Sequence, residues 1–265
     1  MLEGFDSHPK KEISFETDCV RFSEEGWSES KAQVPIEREL TIKVNLNDFV
    51  TILCTPIKLN YLVIGFLYSE GVISGVSDIA MLRVCDDETE ADVRLTRSDF
   101  DLPKRKRLTS GCGGGPSFVT TAKKVESELE ITPNQILLFM KQLQEYMELY
   151  VTSSGLHASA LADRNKVIMM AEDIGRHNTI DKIQGECLFK GISTEDCVLL
   201  STGRISSEML LKAARMGVPV VVSRHTPTGT AVKLADDLGI ALVGRVRGKR
   251  MSVYSHPERL GFSSN

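Results

Sequence analysis

Short apolar runs that alternate with segments of helical pattern dominate the second half of the chain. The runs are LHASALAD, KVIMMAED, CVLLST, VPVVVS and IALVGRV, followed by a last SVYSH, and helices are expected from about Asn178, Ser206 and Thr228. Strands that alternate with helices predict a mainly parallel sheet flanked by helices. In such sheets, ligands bind in the loops that follow the carboxyl ends of the strands.

The first half of the chain predicts a smaller α+β unit. ELTIKVN and FVTILCTP around LNDF predict one hairpin, and IAMLRVC and ADVRLTR around the acidic turn DDETE predict another. LNYLVIGFLYSEGV is apolar on most faces and reaches Gly71, which predicts a buried helix. A long helix is expected from Thr132 to about Tyr150. The expected organisation is a tail or edge segment over 1–32, a small α+β domain over 33–115 and an α/β domain over 116–265.

Composition excludes several classes of protein. The chain has 265 residues, 42% of them hydrophobic, and a net charge of −4, which argues against a dedicated nucleic-acid binder. No apolar stretch approaches the roughly 18 residues of a membrane span, and the start lacks the layout of a signal peptide. We therefore expect a cytoplasmic protein that is not a membrane protein. The six cysteines show no CxxC pairing, so neither a disulfide framework nor a metal site is indicated.

One of these cysteines has an unusual setting. Cys112 lies among glycines in TSGCGGGP, directly after the basic run 104–107. Nearby cations stabilise a thiolate relative to a thiol, and glycines allow a partner to approach the sulfur closely. Cys112 is therefore predicted to be a reactive nucleophile. The alternative is a small packing residue in a flexible glycine loop.

Polar sequences follow four of the predicted strands. They are EDIGRHN, STGRISSE, SRHTPTGT and RVRGKR. Each signal is weak alone: hydroxyl residues are common N-caps, Asn178 could cap a helix while Arg176 pairs with a surface acid, and His157 could be a core histidine. Together, at consecutive strand ends, the loops predict phosphate recognition. The basic runs 104–107 and 245–250 could meet one anionic ligand.

Longer motifs carry a resemblance to a known family. YLVIGFLYSEGVI, TSGCGG, GLHASAL, EDIGRHNTIDKIQG, STGRISSEMLLKAARMGVPVVVS and LADDLGIALVGRVRGKRMSVYSHPERL occur in this order. From about residue 33 to residue 260, the chain resembles the formate dehydrogenase accessory sulfurtransferase family, called FdhD. The resemblance implies a homodimer of fold class α/β, with a cytidine-deaminase-like α/β domain preceded by a smaller α+β domain.

The same resemblance implies an activity. A member of this family takes persulfide sulfur from a cysteine desulfurase and passes it to the molybdenum cofactor of formate dehydrogenase. In that cofactor, molybdenum is bound by two molybdopterin guanine dinucleotides, for which GDP is a partial mimic. The chain is thus expected to be a sulfurtransferase that needs both proteins as partners.

Individual residues match the motifs of the family. Cys112 matches the first cysteine of a frequent Cys-x-x-Cys loop, the one expected to hold the persulfide, and Gly115 stands where many members have the second cysteine. A single thiol can still accept and donate sulfur, and a non-catalytic cofactor-binding chaperone is the alternative. The residues implied to bind the cofactor are Arg245, Val246, Arg247, Gly248, Lys249, Arg250, His157, Asp173, Arg176, His177, Arg204 and Ser206.

A zinc-dependent nucleoside deaminase is the rival that the deaminase-like fold invites. Such enzymes need a glutamate two residues after the zinc-binding histidine and a Pro-Cys-x-x-Cys pair of ligands. Ser159 stands at the glutamate position after His157, and the sequence contains no such cysteine pair. The chemistry of a deaminase is therefore missing.

Overall fold

A computed structural model of the protein describes residues 13–97, 106–108, 116–118, 122–150 and 155–263. The strands are β1 (Ser14–Ser23), β2 (Gly26–Pro35), β3 (Arg38–Val44), β4 (Asn47–Cys54), β5 (Ile79–Val84), β6 (Glu90–Leu95), β7 (Lys106–Leu108), β8 (Pro116–Phe118), β9 (His157–Ala162), β10 (Val167–Asp173), β11 (Val198–Ser201), β12 (Val220–Ser223), β13 (Ala241–Arg247) and β14 (Arg250–Ser255). The helices are α1 (Leu59–Ser69), α2 (Pro133–Tyr150), α3 (Arg176–Lys190), α4 (Ser207–Arg215) and α5 (Gly229–Leu238).

The largest sheet has six strands in the order β10-β9-β11-β12-β13-β14. Strands β11, β12 and β13 are parallel, whereas β10 with β9, β9 with β11, and β13 with β14 are antiparallel. The prediction of a mainly parallel sheet is therefore wrong. The connections from β9 to β10 and from β13 to β14 are too short for a crossover helix, and short connections join antiparallel strands.

Helices cover both faces of this sheet. Leu199 of β11 belongs to the apolar cluster that packs against α3, α4 and α5. Its neighbours Val198 and Leu200 belong to the cluster on the other face, which contains Phe139 and Leu143 of α2. Adjacent strand residues point to opposite faces, so a sheet that is apolar on both sides is buried between two helical layers. This arrangement confirms the predicted α/β class. Among the described residues, no helix has both the length and the apolarity to cross a membrane.

The starts of two helices follow the sequence prediction. The Ser206 hydroxyl accepts a hydrogen bond from the backbone N–H of Met209 at 3.4 Å, and Thr228 does the same for Ala231 at 3.2 Å. Each side chain thereby satisfies one of the free amides of the first turn of α4 or α5.

The first half of the chain forms a separate sheet of four strands, in the order β4-β3-β6-β5. Both predicted hairpins are present, because β3 pairs with β4 and β5 pairs with β6 in antiparallel fashion, and β3 and β6 add a parallel pairing. Residues 14–35, mostly assigned by the sequence to a tail or edge segment, form an antiparallel hairpin of β1 and β2. Strands β7 and β8 form a further antiparallel pair.

Helices α1 and α3 fasten the smaller unit to the larger sheet through a glycine contact. A Cβ atom added to Gly65 would lie 1.8 Å from the carbonyl oxygen of Asp181, and one added to Gly185 would lie 1.9 Å from that of Tyr61. The two backbones therefore touch where they cross, at a separation that only glycine permits on either side.

A buried ion pair lies beside this crossing. The Lys182 ammonium is 2.6 Å from the Asp173 carboxylate, and both side chains are fully buried. Lys182 also donates to the carbonyl oxygens of Thr55 and Glu172, each at 3.1 Å. Asp173 accepts from the backbone N–H of Thr55 and of Gly175, at 3.1 and 2.8 Å. Because Thr55 directly follows β4, the pair joins the two sheets.

We expect Gly65→Ala to destabilise the protein strongly. The new methyl group would overlap the backbone of α3, so the helices would separate and the free energy of unfolding would fall by roughly 2–3 kcal/mol, as in other overpacked cores. Gly229→Ala is the matched control, since a Cβ atom there meets nothing within 4 Å. Urea unfolding of both variants tests this. Equal stability of the two would contradict the backbone contact.

Candidate functional site

Three of the polar loops meet at one edge of the large sheet. Strands β11 and β12 are parallel and end there, at Ser201 and Ser223. Strand β9 runs in the opposite direction and begins at the same edge, with Ser159 opposite Ser201 and His157 opposite Asp173. The loops EDIGRHN, STGRISSE and SRHTPTGT are therefore neighbours. We call these three loops together the strand-end site.

Hydrogen bonds between strands fix the shape of these loops. The Ser223 hydroxyl donates to the carbonyl oxygen of Gly203 at 2.7 Å and accepts from the backbone N–H of His225 at 2.9 Å. The Ser201 hydroxyl accepts from the backbone N–H of Gly203 at 3.1 Å. The backbone N–H of Arg224 donates to the Ser201 carbonyl at 3.3 Å. Two buried serines thus position the backbone that carries the polar side chains.

Gly203 lies against Arg176 and His157. A Cβ atom on Gly203 would be 2.9 Å from Cβ of Arg176 and 3.5 Å from Nδ1 of His157. The arginine side chain therefore occupies the space that any other residue at 203 would fill. The Nε atom of Arg176 is buried and has no hydrogen-bond partner in the part of the chain that the structure describes. A buried guanidinium donor of this kind is suited to an anionic ligand.

Two histidines of the site are surrounded by arginines. Burial lowers the pKa of His157, and the positive charge of Arg176 lowers it further. Burial also lowers the pKa of His225, with smaller contributions from Arg247, Arg224 and Arg204. Both rings are therefore kept neutral at neutral pH, and each can donate one hydrogen bond and accept another.

The basic turn 245–250 is only partly directed at this edge. Arg245 has a left-handed backbone, with φ of 56°, and its N–H donates to the His225 carbonyl at 3.2 Å, which ties the turn to the loop after β12. The positive charge of Arg247 contributes to the lowered pKa of His225, whereas the side chain of Val246 is buried against α2. The Val246 side chain therefore lines the cavity at α2.

Other members of the turn face a second surface. Gly248 and Lys249 line a cavity of about 260 Å³ together with Leu137, Lys141 and Gln144 of α2. Arg250 is exposed and pairs with Arg247 across the turn. The run RVRGKR is therefore divided between the strand-end site and the surface of α2.

The side chains of Asp173 and Ser206 both accept hydrogen bonds from the backbone. The Asp173 carboxylate is fully buried and is occupied by Lys182 and by neighbouring amide groups, including the side chain of Asn178 at 2.8 Å. Ser206 caps α4. Asn178 does not cap α3, whose N-cap is Gly175, because its amide also donates to the Leu53 carbonyl at 2.8 Å. We assign these residues positioning roles.

His177 links the starts of α3 and α4. Its Nε2 atom is 3.4 Å from the Ser206 hydroxyl and 3.4 Å from the Glu208 carboxylate. Burial, followed by the positive charges of Lys212 and Arg176, lowers the pKa of His177 to about 3. The nearby carboxylate favours the charged ring, but burial and the two cations outweigh it, so the ring is neutral in the folded protein.

Cys112 lies outside the described residues, within the segment 109–115 between β7 and β8. The described cysteines form no disulfide, and burial raises the pKa of Cys54 and Cys187 to about 12 and that of Cys197 to about 11. These three thiols are protonated at neutral pH, and their burial makes them inaccessible to reagents. The Cys85 thiol donates to the Asp87 carboxylate at 2.8 Å.

Arg224 and His225 belong to the site but were missed as individual candidates. Both lie in SRHTPTGT, directly after β12, and the strand-end rule alone would have selected them. Within the described ranges, no three side chains of histidine, cysteine, aspartate or glutamate come together in a metal-binding group. The site is thus defined by arginines and neutral imidazoles.

Together, the fold and the site define an α/β protein with a cationic strand-end site and no metal-binding group among the described residues. The model of the FdhD/NarQ family matches residues 35–261, so the chain belongs to this family.

Known proteins resemble the chain over nearly its whole length. A relative from Staphylococcus aureus (strain MRSA252), named sulfur carrier protein FdhD, is 38% identical over 258 residues, covering 94% of this chain and 97% of the relative. A protein of the same name from Bacillus subtilis (strain 168) is 39% identical over 252 residues, covering 92% and 96%. The crystal structure of a proposed formate dehydrogenase accessory protein from Desulfotalea psychrophila matches with a TM-score of 0.79 and 25% identity, covering 94% of this chain and all of that one.

We expect the free energy of unfolding of His177→Gln to depend less on pH than that of the wild-type protein. The His177 pKa is about 3 in the folded protein, against 6.5 for a free histidine, so only the unfolded chain takes up this proton between those values. The wild-type free energy of unfolding therefore falls as the pH drops from 6.5 toward 3, by on the order of 2 kcal/mol at pH 4.5 from this residue alone. Urea titrations from pH 7.5 to 4.5 measure the difference. Parallel curves for wild type and variant would contradict a neutral His177.

Proposed function

We propose that the protein is a cytoplasmic sulfur carrier that serves a formate dehydrogenase. In this proposal, Cys112 takes persulfide sulfur from a cysteine desulfurase and delivers it to the molybdenum cofactor before the cofactor enters the dehydrogenase. The names of the relatives, sulfur carrier protein FdhD, support the sulfur-carrying part. The name of the matching solved structure supports the link to formate dehydrogenase.

The observation that carries the proposal is the convergence of arginines at the strand-end site. Besides burial, the positive charges of Arg247, Arg224 and Arg204 lower the pKa of His225. The positive charge of Arg176 likewise lowers the pKa of His157. The substrate would be molybdenum held by two guanine dinucleotides, each of which contains a pyrophosphate. Arginine binds phosphate oxygens through two parallel hydrogen bonds, which suits it to this ligand better than to a neutral one.

Two further features of the site favour a phosphate. Helix α3 starts at Gly175 without a side-chain cap and has no acidic residue in its first turn, so its free amides and dipole favour a negative charge. The Nε atom of Arg176, which has no hydrogen-bond partner among the described residues, lies in the same turn. The neutral rings of His157 and His225 can donate hydrogen bonds without adding to the repulsion among the arginines.

The sulfur step uses the thiolate of Cys112. It attacks the outer sulfur of the desulfurase persulfide, a new S–S bond forms, and the desulfurase cysteine leaves as a thiolate. Cys112 then carries the persulfide, and no external oxidant is required. The buried thiols of Cys54, Cys187 and Cys197 are protonated at neutral pH, so they do not compete.

A non-catalytic chaperone of the cofactor is the second candidate. Gly115 in place of a second cysteine favours it, because a persulfide on Cys112 cannot be resolved by a nearby thiol in the same loop. The two candidates share the strand-end site and differ only in whether Cys112 carries sulfur. Labelling of Cys112 therefore separates them.

We expect the full-length protein to gain the mass of one sulfur atom on the peptide that contains Cys112 after incubation with a cysteine desulfurase and cysteine. Mass spectrometry should find no such gain in Cys112→Ala. Cys85→Ala is the control and should be labelled like wild type. Labelling that persists in Cys112→Ala, or that maps to another cysteine, would remove Cys112 from the mechanism.

We expect the protein to bind GDP more tightly than ADP in titration calorimetry. Arg204→Ala with Arg247→Ala should weaken GDP binding at least roughly tenfold, because charge-assisted hydrogen bonds contribute on the order of 1.5–3 kcal/mol each when desolvated. The loss should be larger at low salt than at high salt. Arg164→Ala is the control, since Arg164 lies in the turn between β9 and β10, at the opposite edge of the sheet. Equal or absent binding of GDP and ADP would contradict the cofactor site.

A further inference from the structure

Within the part of the chain that the structure describes, no layer covers the hairpin of β1 and β2. None of its residues is buried, and Phe22 and Trp27 near its tip are 69% and 74% exposed. Among the described residues, the two strands pair only with each other. An isolated two-stranded hairpin has marginal stability in water, and strands of this length with free edges invite further pairing.

The direction of the free backbone groups follows from one hydrogen bond at the base. The backbone N–H of Ile36 donates to the carbonyl oxygen of Ile13 at 2.9 Å, across the hairpin. Backbone groups alternate along a strand, so the even positions of β2 face β1, and the odd positions 27, 29, 31 and 33 face outward. Pro35 is the next odd position and has no N–H, as expected where the group faces away from the sheet.

The charges on this outer edge are complementary to themselves. Glu29 and Lys31 lie on either side of Ser30 and on the same face of the strand. If a second β2 strand runs antiparallel with Ser30 opposite Ser30, each Glu29 lies opposite the Lys31 of the other copy. A shift of the two-fold centre to position 29 or 31 instead places like charges opposite each other, which destabilises the pairing.

Alternative uses of the hairpin are less favourable. The outward positions of β1 include Glu16 and Asp18 and no basic residue, so two β1 edges have no opposite charges to pair. Lys31 already contacts Glu16 at 2.6 Å, but these side chains are 65% and 50% exposed, and an ammonium group has three donors. Lys31 therefore remains available to a second carboxylate.

We propose that the outer edge of β2 pairs antiparallel with the same edge of a second copy, about a two-fold axis at Ser30. The two hairpins then form one sheet in the order β1-β2-β2-β1. Trp27 lies opposite Gln33 of the second copy and diagonal to its Pro35, within reach of an aromatic ring. The interface is isologous, as expected of a two-fold dimer, and does not depend on the proposed sulfur transfer.

Charge reversal tests the register. Glu29→Lys and Lys31→Glu each place like charges opposite each other at both symmetric contacts, so each should raise the dimer dissociation constant on the order of tenfold or more in sedimentation experiments. The double variant restores two opposite pairs and should return to the wild-type value. An equimolar mixture of the two single variants should form heterodimers. A monomeric wild-type protein, or single variants that dimerise like wild type, would overturn the proposal.

A cysteine at the axis provides a second test. In this register, Ser30 is a non-hydrogen-bonded pair with itself, with Cα atoms about 4.5 Å apart, which lies within the reach of a disulfide. Ser30→Cys in a Cys19→Ser, Cys112→Ser background should therefore form a covalent dimer on mild oxidation. The first background change is required because Cys19 pairs with Ser30 within the hairpin. Ser28→Cys is the matched control, since position 28 lies opposite 32. Equal cross-linking of both, or none at Ser30→Cys, would refute the two-fold register.

Discussion

The buried ion pair of Asp173 and Lys182 holds three parts of the structure in one place. It connects the end of β10, the first two turns of α3 and the residue that follows β4 in the smaller sheet. Removal of either partner leaves an uncompensated charge in the interior, which costs about 3–5 kcal/mol. The strand-end site begins at Gly175 and Arg176, directly after this pair. The contact between the two sheets therefore fixes the position of the strand-end site.

The sequence predicted the helices and strands well where local chemistry decides them. Ser206 and Thr228 cap the helices that they were expected to begin, because hydroxyl groups satisfy free amides without help from distant residues. The start of α3 was placed two residues late, at Asn178. The Asn178 side chain donates hydrogen bonds to Leu53 and Asp173. Because Leu53 is 125 positions away in the sequence, this contact leaves no local sequence pattern.

The candidate site was predictable from strand ends but not from residue types alone. His157, Arg176 and Arg204 were expected at the edge, and the structure brings them together with Arg224 and His225, which the same loops contain. Val246 and Asp173 were expected to bind the cofactor, and the structure shows that both side chains are buried. Their place in a motif could not reveal which way they face, since packing against α2 and pairing with Lys182 are tertiary contacts.

The two serines at the ends of β11 and β12 have a thermodynamic consequence. Ser201 and Ser223 are fully buried, and their hydroxyl groups are bonded to the backbone of the loops that carry the arginines. A loop that must be ordered by its ligand loses conformational entropy on association, and that loss subtracts from affinity. Here the ordering is completed during folding. In the proposed function, a large anionic ligand would meet contacts that are already in position, so that most of the interaction free energy would be retained as affinity.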